Sequence, residues 1–261
     1  MTAAFVGSLQ SEWIKKRRSL AGWLVIVGAL FTPLIIVVAR LTYQDGLAKL
    51  YTSDTFWRDH WNNCWESVAI FLLPIGEVLA ASLITQLEYK NNTWKQLHTT
   101  PLHFTTIYFS KLLVMLAMLF QFFFLFNIAI FISAIIPALV IADVSIPTAP
   151  IDVLFYLKEN VLYFIDCLPI IALQYLIALN FKNFLVPIGT GFLMWVLSLA
   201  TLRWEYGYLF PYSYTIFNFL NEAASGKAAI PDLNFHLLAL GYFIGFIAIG
   251  YALYVTKKDK G

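Results

Sequence analysis

The run Leu112–Pro137 reads LLVMLAMLFQFFFLFNIAIFISAIIP and carries no charged residue. About 20 apolar residues, rising about 1.5 Å each, cross about 30 Å of hydrocarbon. The run therefore predicts a membrane-spanning helix from Leu112 to Ile136, ended by Pro137. It is continuously apolar rather than alternating, which favours a helix over a barrel strand. Working outward, five further runs of this kind appear: Ser19–Ala39, Ser67–Thr85, Asn160–Leu179, Phe184–Leu202 and His236–Val255. The first could pass for a signal peptide, but its apolar stretch is too long and no small-residue cleavage site follows it. The expected fold is an all-α, polytopic membrane protein with six transmembrane helices in one domain, residues 1–261.

Composition agrees. Of the 261 residues, 60% are hydrophobic and only 12% charged, against about 25% charged in soluble domains. That excludes an ordinary soluble enzyme, and the apolar content excludes a disordered chain. A net charge of +2 gives no reason to expect nucleic acid as a partner. The few charges sort by side. With six spans both termini share a face, and that face holds Lys15-Lys16-Arg17-Arg18, Lys90, Lys95, Lys111, Lys182 and the C-terminal lysines. The opposite segments hold Arg40, Lys49, Arg58, Lys158, Arg203 and Lys227 amid most of the acids. The positive-inside rule then places both termini in the cytoplasm.

Two inside segments are amphipathic. Near the N-terminus, Phe5, Val6, Leu9 and Trp13 fall within an arc of about 100° at helical spacing, with Ser8, Ser11, Glu12 and Lys15 on another side. With the basic cluster that follows, this predicts an interfacial helix over 1–18, held by anionic membrane lipids. Between the second and third spans, residues 86–111, helical phase puts Leu87, Trp94 and Leu97 on one face, and Glu88, Asn91, Asn92 and Lys95 on a neighbouring one. Pro101 breaks the chain, and a new helix from about Leu102 runs through Lys111 into the third span. A simple reversal needs only about two to eight residues, so a polar face on this inside helix suggests a protein partner.

Glu88 and Asn92-Thr93-Trp94-Lys95-Gln96-Leu97, followed by Thr100-Pro101, Ile107-Tyr108 and Lys111, together with the basic N-terminus and six-span layout, resemble the permease subunit of type-2 ABC exporters, the group that includes bacitracin and lantibiotic-immunity permeases. The resemblance covers essentially the whole chain. It implies that the helix between spans 2 and 3 is a coupling helix docked on a cytoplasmic ABC ATPase present in two copies, with Glu88 contacting it. Trp94 belongs to the quoted motif, and helical phase adds Asn91, Asn92 and Lys95 to that face. It also implies a bacterial inner membrane location, a second permease copy or homologue, and an amphipathic peptide, antibiotic or lipid-like cargo. No G-x-x-x-x-G-K-[ST] phosphate loop occurs, because Gly226-Lys227 lacks the earlier glycine and is followed by alanine. ATP and magnesium are accordingly expected in the partner chain, and no cofactor in this one.

Other residues stand out. Glu77 and Asp166 lie inside spans, where an acid costs about 2.5–3.5 kcal/mol on insertion scales. They either line a proton or substrate path or are hydrogen-bonded structural groups, and neither span supplies a basic partner. Gln121, Asn127 and Gln174 are candidates for hydrogen bonds between helices. Gly241, Gly245, Ala248 and Ala252 form a small-residue stripe on the last span, suited to close helix packing within the subunit or between copies. Pro187, Gly189 and Gly191 suggest a kinked or closely packed fifth span. The aromatic outer segment Arg203–Phe235 predicts one or two short helices dipping back at the surface. The outer loop Arg40–Glu66 contains His60 and Cys64, too few ligands for a metal site. The main alternative is a stand-alone secondary transporter or channel using Glu77 and Asp166 for proton or ion coupling. An intramembrane enzyme lacks any Ser/Lys, Asp/Asp or His-rich pattern in the spans.

Overall fold

The computed structural model describes residues 2–90, 102–223 and 234–256. Among them the regular structure is helical throughout. Helix α1 (Thr2–Arg17) turns at Ser19 into α2 (Leu20–Thr42). Short α3 (Leu47–Tyr51) and α4 (Phe56–Ser67) follow, and α4 passes through a π-helical turn (Val68–Leu72) into α5 (Leu73–Lys90). Helix α6 (Phe104–Val140), α7 (Val153–Asn180) and α8 (Leu185–Thr201) come next. Two 3₁₀ turns, Gly207–Leu209 and Pro211–Ser213, lead into α9 (Tyr214–Ala223), and α10 (Phe235–Thr256) closes the chain.

Among the described residues five stretches are long and apolar enough to cross a membrane: Leu20–Thr42, Phe56–Leu87, Phe104–Val140, Val153–Asn180 and Phe235–Thr256. The remaining expected span, α8, is a shorter apolar helix of 17 residues, at the lower edge of the spanning range. Helix α2 packs along α6, and α7 along α10, while α5 lies between these pairs and touches α2, α7 and α8. Outward faces carry large exposed apolar side chains such as Leu20, Phe31, Leu34, Phe120, Leu154 and Ile244. A soluble monomer rarely shows such a surface, but a lipid-facing bundle must. Inside, packing rather than water exclusion holds the helices. Trp65, fully buried, stacks on Tyr163 of α7 with ring centroids 3.8 Å apart and an interplanar angle of 11°, and meets Phe126 of α6 edge-on.

Three boundaries differ from the sequence reading. The outer loop Arg40–Glu66 is mostly helix, because α4 continues the second span outward. The π turn leaves backbone carbonyls outside the α pattern, and side chains satisfy two of them. Thr215 Oγ1 donates to Ala69 O at 2.9 Å, and Trp195 Nε1–H to Ile70 O at 2.8 Å. Pro137 does not end the third span; α6 runs on to Val140, since a proline removes only one donor and Ile141 N–H still closes onto Pro137 O at 2.9 Å. Helix α7 begins seven residues before Asn160, where Asp152 Oδ1 caps Phe155 N–H at 3.0 Å, a neutralised orphan donor of the first turn.

In α8, a β-carbon on Gly191 would lie 2.5 Å from Val78 and 2.6 Å from Gln174, so this glycine lets α8 approach α5 and α7. The aromatic segment after α8 begins exposed at Trp204, Tyr206 and Leu209 and then turns inward. Tyr212, Tyr214, Ile216 and Phe217 are all within the core.

Candidate functional site

The segment expected to meet a partner emerges between α5 and α6. Glu88 lies in the last turns of α5. Asn91, Asn92, Trp94 and Lys95 fall outside the described residues. The downstream flank, the start of α6, is described with its side chains.

Helix α6 has 37 residues, about 55 Å at the usual rise, so it overshoots a bilayer core of about 30 Å. Its first two turns gather contacts from three helices. Ser110 Oγ lies 2.8 Å from Ser8 Oγ of α1. Lys111 Nζ donates to Glu12 Oε2 at 3.0 Å, while Lys15 Nζ takes Glu12 Oε1 at 2.5 Å. Glu12 is 4% exposed and Lys111 1%. About three turns further along α6, Lys16 Nζ donates to Gln121 Oε1. On the other side of α6, Tyr108 OH donates to Ile247 O of α10 at 3.0 Å, Tyr175 OH of α7 donates to Tyr108 O at 2.9 Å, and Thr105 Oγ1 lies 2.7 Å from Tyr251 OH. A β-carbon at Gly250 would stand 2.8 Å from the Tyr108 hydroxyl, so this glycine permits the close approach. The start of α6 is thus tied to α1, α7 and α10 at once.

This arrangement changes the reading of α1. Its polar side, Ser8, Glu12 and Lys15, was expected apart from the apolar arc; it faces α6 instead of water. Val6, Trp13 and Ile14 are exposed, as an interfacial helix would present them to lipid. Sequence inspection gave no sign of the Glu12–Lys111 pair, because the partners are 99 residues apart.

The two intramembrane acids occupy the α5–α7 interface. Asp166 is fully buried, and His236 Nδ1–H of α10 donates to its Oδ1 at 2.7 Å. The basic partner missing from its own span comes from another. Glu77 is 5% exposed, and among the described residues its carboxyl oxygens meet no N–H or O–H donor; the Cys167 thiol is its polar neighbour, with Asp166 nearby. The polar amides bridge helices: Asn127 and Asn160 exchange reciprocal amide bonds at 2.8 and 3.0 Å, and Gln174 Nε2–H donates to Tyr212 OH at 2.5 Å.

Toward the opposite end, Arg40 is buried without a carboxylate partner among the described residues. It donates to Tyr51 OH at 3.0 Å and to His60 Nδ1 at 2.9 Å, and His60 Nε2 meets Ile130 O and Ser133 Oγ, each at 3.0 Å. Both ring nitrogens of His60 are thereby engaged, and Cys64 Sγ stands 3.9 Å from Nε2. Among the described residues no three His, Cys, Asp or Glu side chains cluster as metal ligands.

The stripe Gly241, Gly245, Ala248 and Ala252 does not face its own bundle. No atom lies within 4 Å of a β-carbon built at Gly241 or Gly245, and Ala248 and Ala252 are exposed. Packing within the subunit uses the other side of α10, through Ile247, Gly250, Tyr251 and Tyr254.

Comparison with known proteins agrees with this layout. Neither curated proteins nor solved structures yield a match. The family model described as "ABC-2 family transporter protein" matches residues 8–198, which takes in α1, the segment between α5 and α6, and most of α8. A chain matched over that span, with several membrane-crossing helices, is a multi-pass membrane subunit of an ABC transporter, and it belongs to the ABC-2 family.

Proposed function

We propose that this chain is the permease of an ATP-driven exporter, assembled as two permease copies (or this chain and a homologue) with two cytoplasmic ATPase subunits. The family membership implies an ATPase partner. The observation that carries the mechanical reading is the bonding at the start of α6. A segment that delivers force from a docked ATPase must connect to the spans without slack. Downstream of residues 91–101, α6 is bonded to α1, α7 and α10 within its first eight residues.

In this reading Glu88, Asn91, Asn92, Trp94 and Lys95 form the ATPase-facing surface. ATP and magnesium belong to the partner. ATP-driven closure of the ATPases would push on this surface and shift α5 and α6 against α7 and α10. The cargo is an amphipathic peptide, antibiotic or lipid-like molecule leaving through the interface between permeases. Both termini lie in the cytoplasm of a bacterial cell.

The test is copurification and coupled hydrolysis. Glu88→Ala with Trp94→Ala is expected to uncouple cargo-stimulated ATP hydrolysis and weaken ATPase retention at least tenfold, with the helical signal of the permease unchanged. Undiminished retention and coupling in the double variant would refute the assignment.

A further inference from the structure

A groove of about 630 Å³ opens where α1, α2 and α6 meet. It is lined by the cations Lys16 and Arg17, the indoles of Trp13 and Trp23, and the rings of Phe120 and Phe124. Lys16 is 5% exposed, and among the described residues its ammonium meets only neutral groups: the Gln121 side-chain oxygen and the Trp13 ring, whose centroid is 4.3 Å away. The nearby acid on the same helix, Glu12, is already held by Lys15 and Lys111. Burial lowers the Lys16 pKa from its ordinary value, the expected response of an ammonium lacking a counter-charge. Arg17 is exposed beside it and has no ion-pair partner among the described residues.

The corner that sets these cations is built for close approach. A β-carbon on Gly22, another lining residue, would stand 2.8 Å from the Lys16 carbonyl oxygen. Indoles favour the headgroup level of a bilayer, and Phe120 and Phe124 are 66% and 58% exposed on a helix that continues into hydrocarbon. One groove therefore brings together cations, indoles and exposed phenylalanines, the three surfaces that the parts of a single phospholipid require.

We propose that this groove binds an anionic glycerophospholipid, with its phosphate between Lys16 and Arg17, its glycerol region beside Trp13 and Trp23, and an acyl chain along Phe120 and Phe124. Charge complementarity selects an anionic headgroup, and the exposed apolar wall selects a lipid over free phosphate. The inference rests on membrane embedding alone and is independent of ATP coupling. The bound lipid would brace α1 against α6 next to the Glu12–Lys111 pair.

Native mass spectrometry of the delipidated full chain, offered equal amounts of phosphatidylglycerol and phosphatidylcholine, tests it. The wild type is expected to retain phosphatidylglycerol preferentially. Lys16→Gln with Arg17→Gln should weaken that retention about tenfold, the scale of a lost hydrogen bond to a charged group. Ala117→Trp, which fills the groove and keeps both cations, should weaken it similarly, while Lys158→Gln leaves it unchanged. Far-UV circular dichroism checks folding, and if the double variant fails to fold, Ala117→Trp decides alone. Equal retention of phosphatidylcholine by the wild type, wild-type retention in a folded groove variant, or displacement of the lipid by inorganic phosphate would overturn the proposal.

Discussion

Two glutamates are buried to nearly the same degree, in different regions. Glu12 in α1 is 4% exposed and Glu77 in α5 is 5% exposed. Glu12 has a lysine on each carboxyl oxygen, one from its own helix and one from α6. Among the described residues Glu77 has no N–H or O–H donor on either, only the Cys167 thiol beside it. Burial alone therefore does not tell what an acid does. A carboxylate shared by two ammonium groups fixes one geometry and clamps two helices. A carboxyl beside a weak thiol donor specifies little in the resting structure, and its neighbours, Asp166 and Cys167, offer no cation. The clamp lies beside the segment that joins α5 to α6. Glu77 lies in the middle of the bundle, where helices must slide if the transporter changes state.

Three substitutions break or sharpen this contrast. Glu12→Ala removes the carboxylate shared by Lys15 and Lys111 and should cost about 3 kcal/mol or more, as expected for breaking a buried pair. Denaturant unfolding in detergent, followed by circular dichroism, reads it, and a loss under about 1 kcal/mol would reduce the clamp to an ordinary surface pair. Asp166→Asn should cost about 1.5–3 kcal/mol, because the bond from His236 loses its charged acceptor. Its loss in the same assay should be matched by a similar loss for His236→Ala, with the double variant no worse than either. Glu77→Gln should change stability by less than about 1 kcal/mol, since the substitution keeps the volume and an acceptor oxygen for the Cys167 thiol and removes no ion pair. A loss as large as that of Glu12→Ala would mean Glu77 has a structural bond after all, and the comparison would collapse.

The spans were legible because lipid contact is a property of single residues summed over a run. Leu112–Ile136 has no charge to interrupt it, and α6 contains it. Helix ends were less legible. Asp152 was available as a cap signal but lay eight residues before the apolar run, and α4 hid in a stretch whose tryptophans alternate with polar residues. Polar partners were the least legible. Glu12 meets Lys111, Asp166 meets His236 and Lys16 meets Gln121 across 70 to 105 residues of chain, and helical phase on one element cannot name a partner on another. The same limit explains the last span. Helical phase puts its small residues on one face, but which face turns inward depends on the close approach of Tyr108 to Gly250. Of the proposed coupling surface, only the backbone of Glu88 is described.

The π turn at Val68–Leu72 has a consequence for how one helix serves two audiences. An extra residue in a helical turn rotates everything beyond it by about 100°. Trp61 and Trp65 before the turn look toward α6 and α7, and Val78 after it looks toward Gly191 of α8. The inserted residue acts as a phase shifter along a single rod. The fastening of its loosened carbonyls by Trp195 and Thr215 makes α8 and α9 the parts that hold the setting.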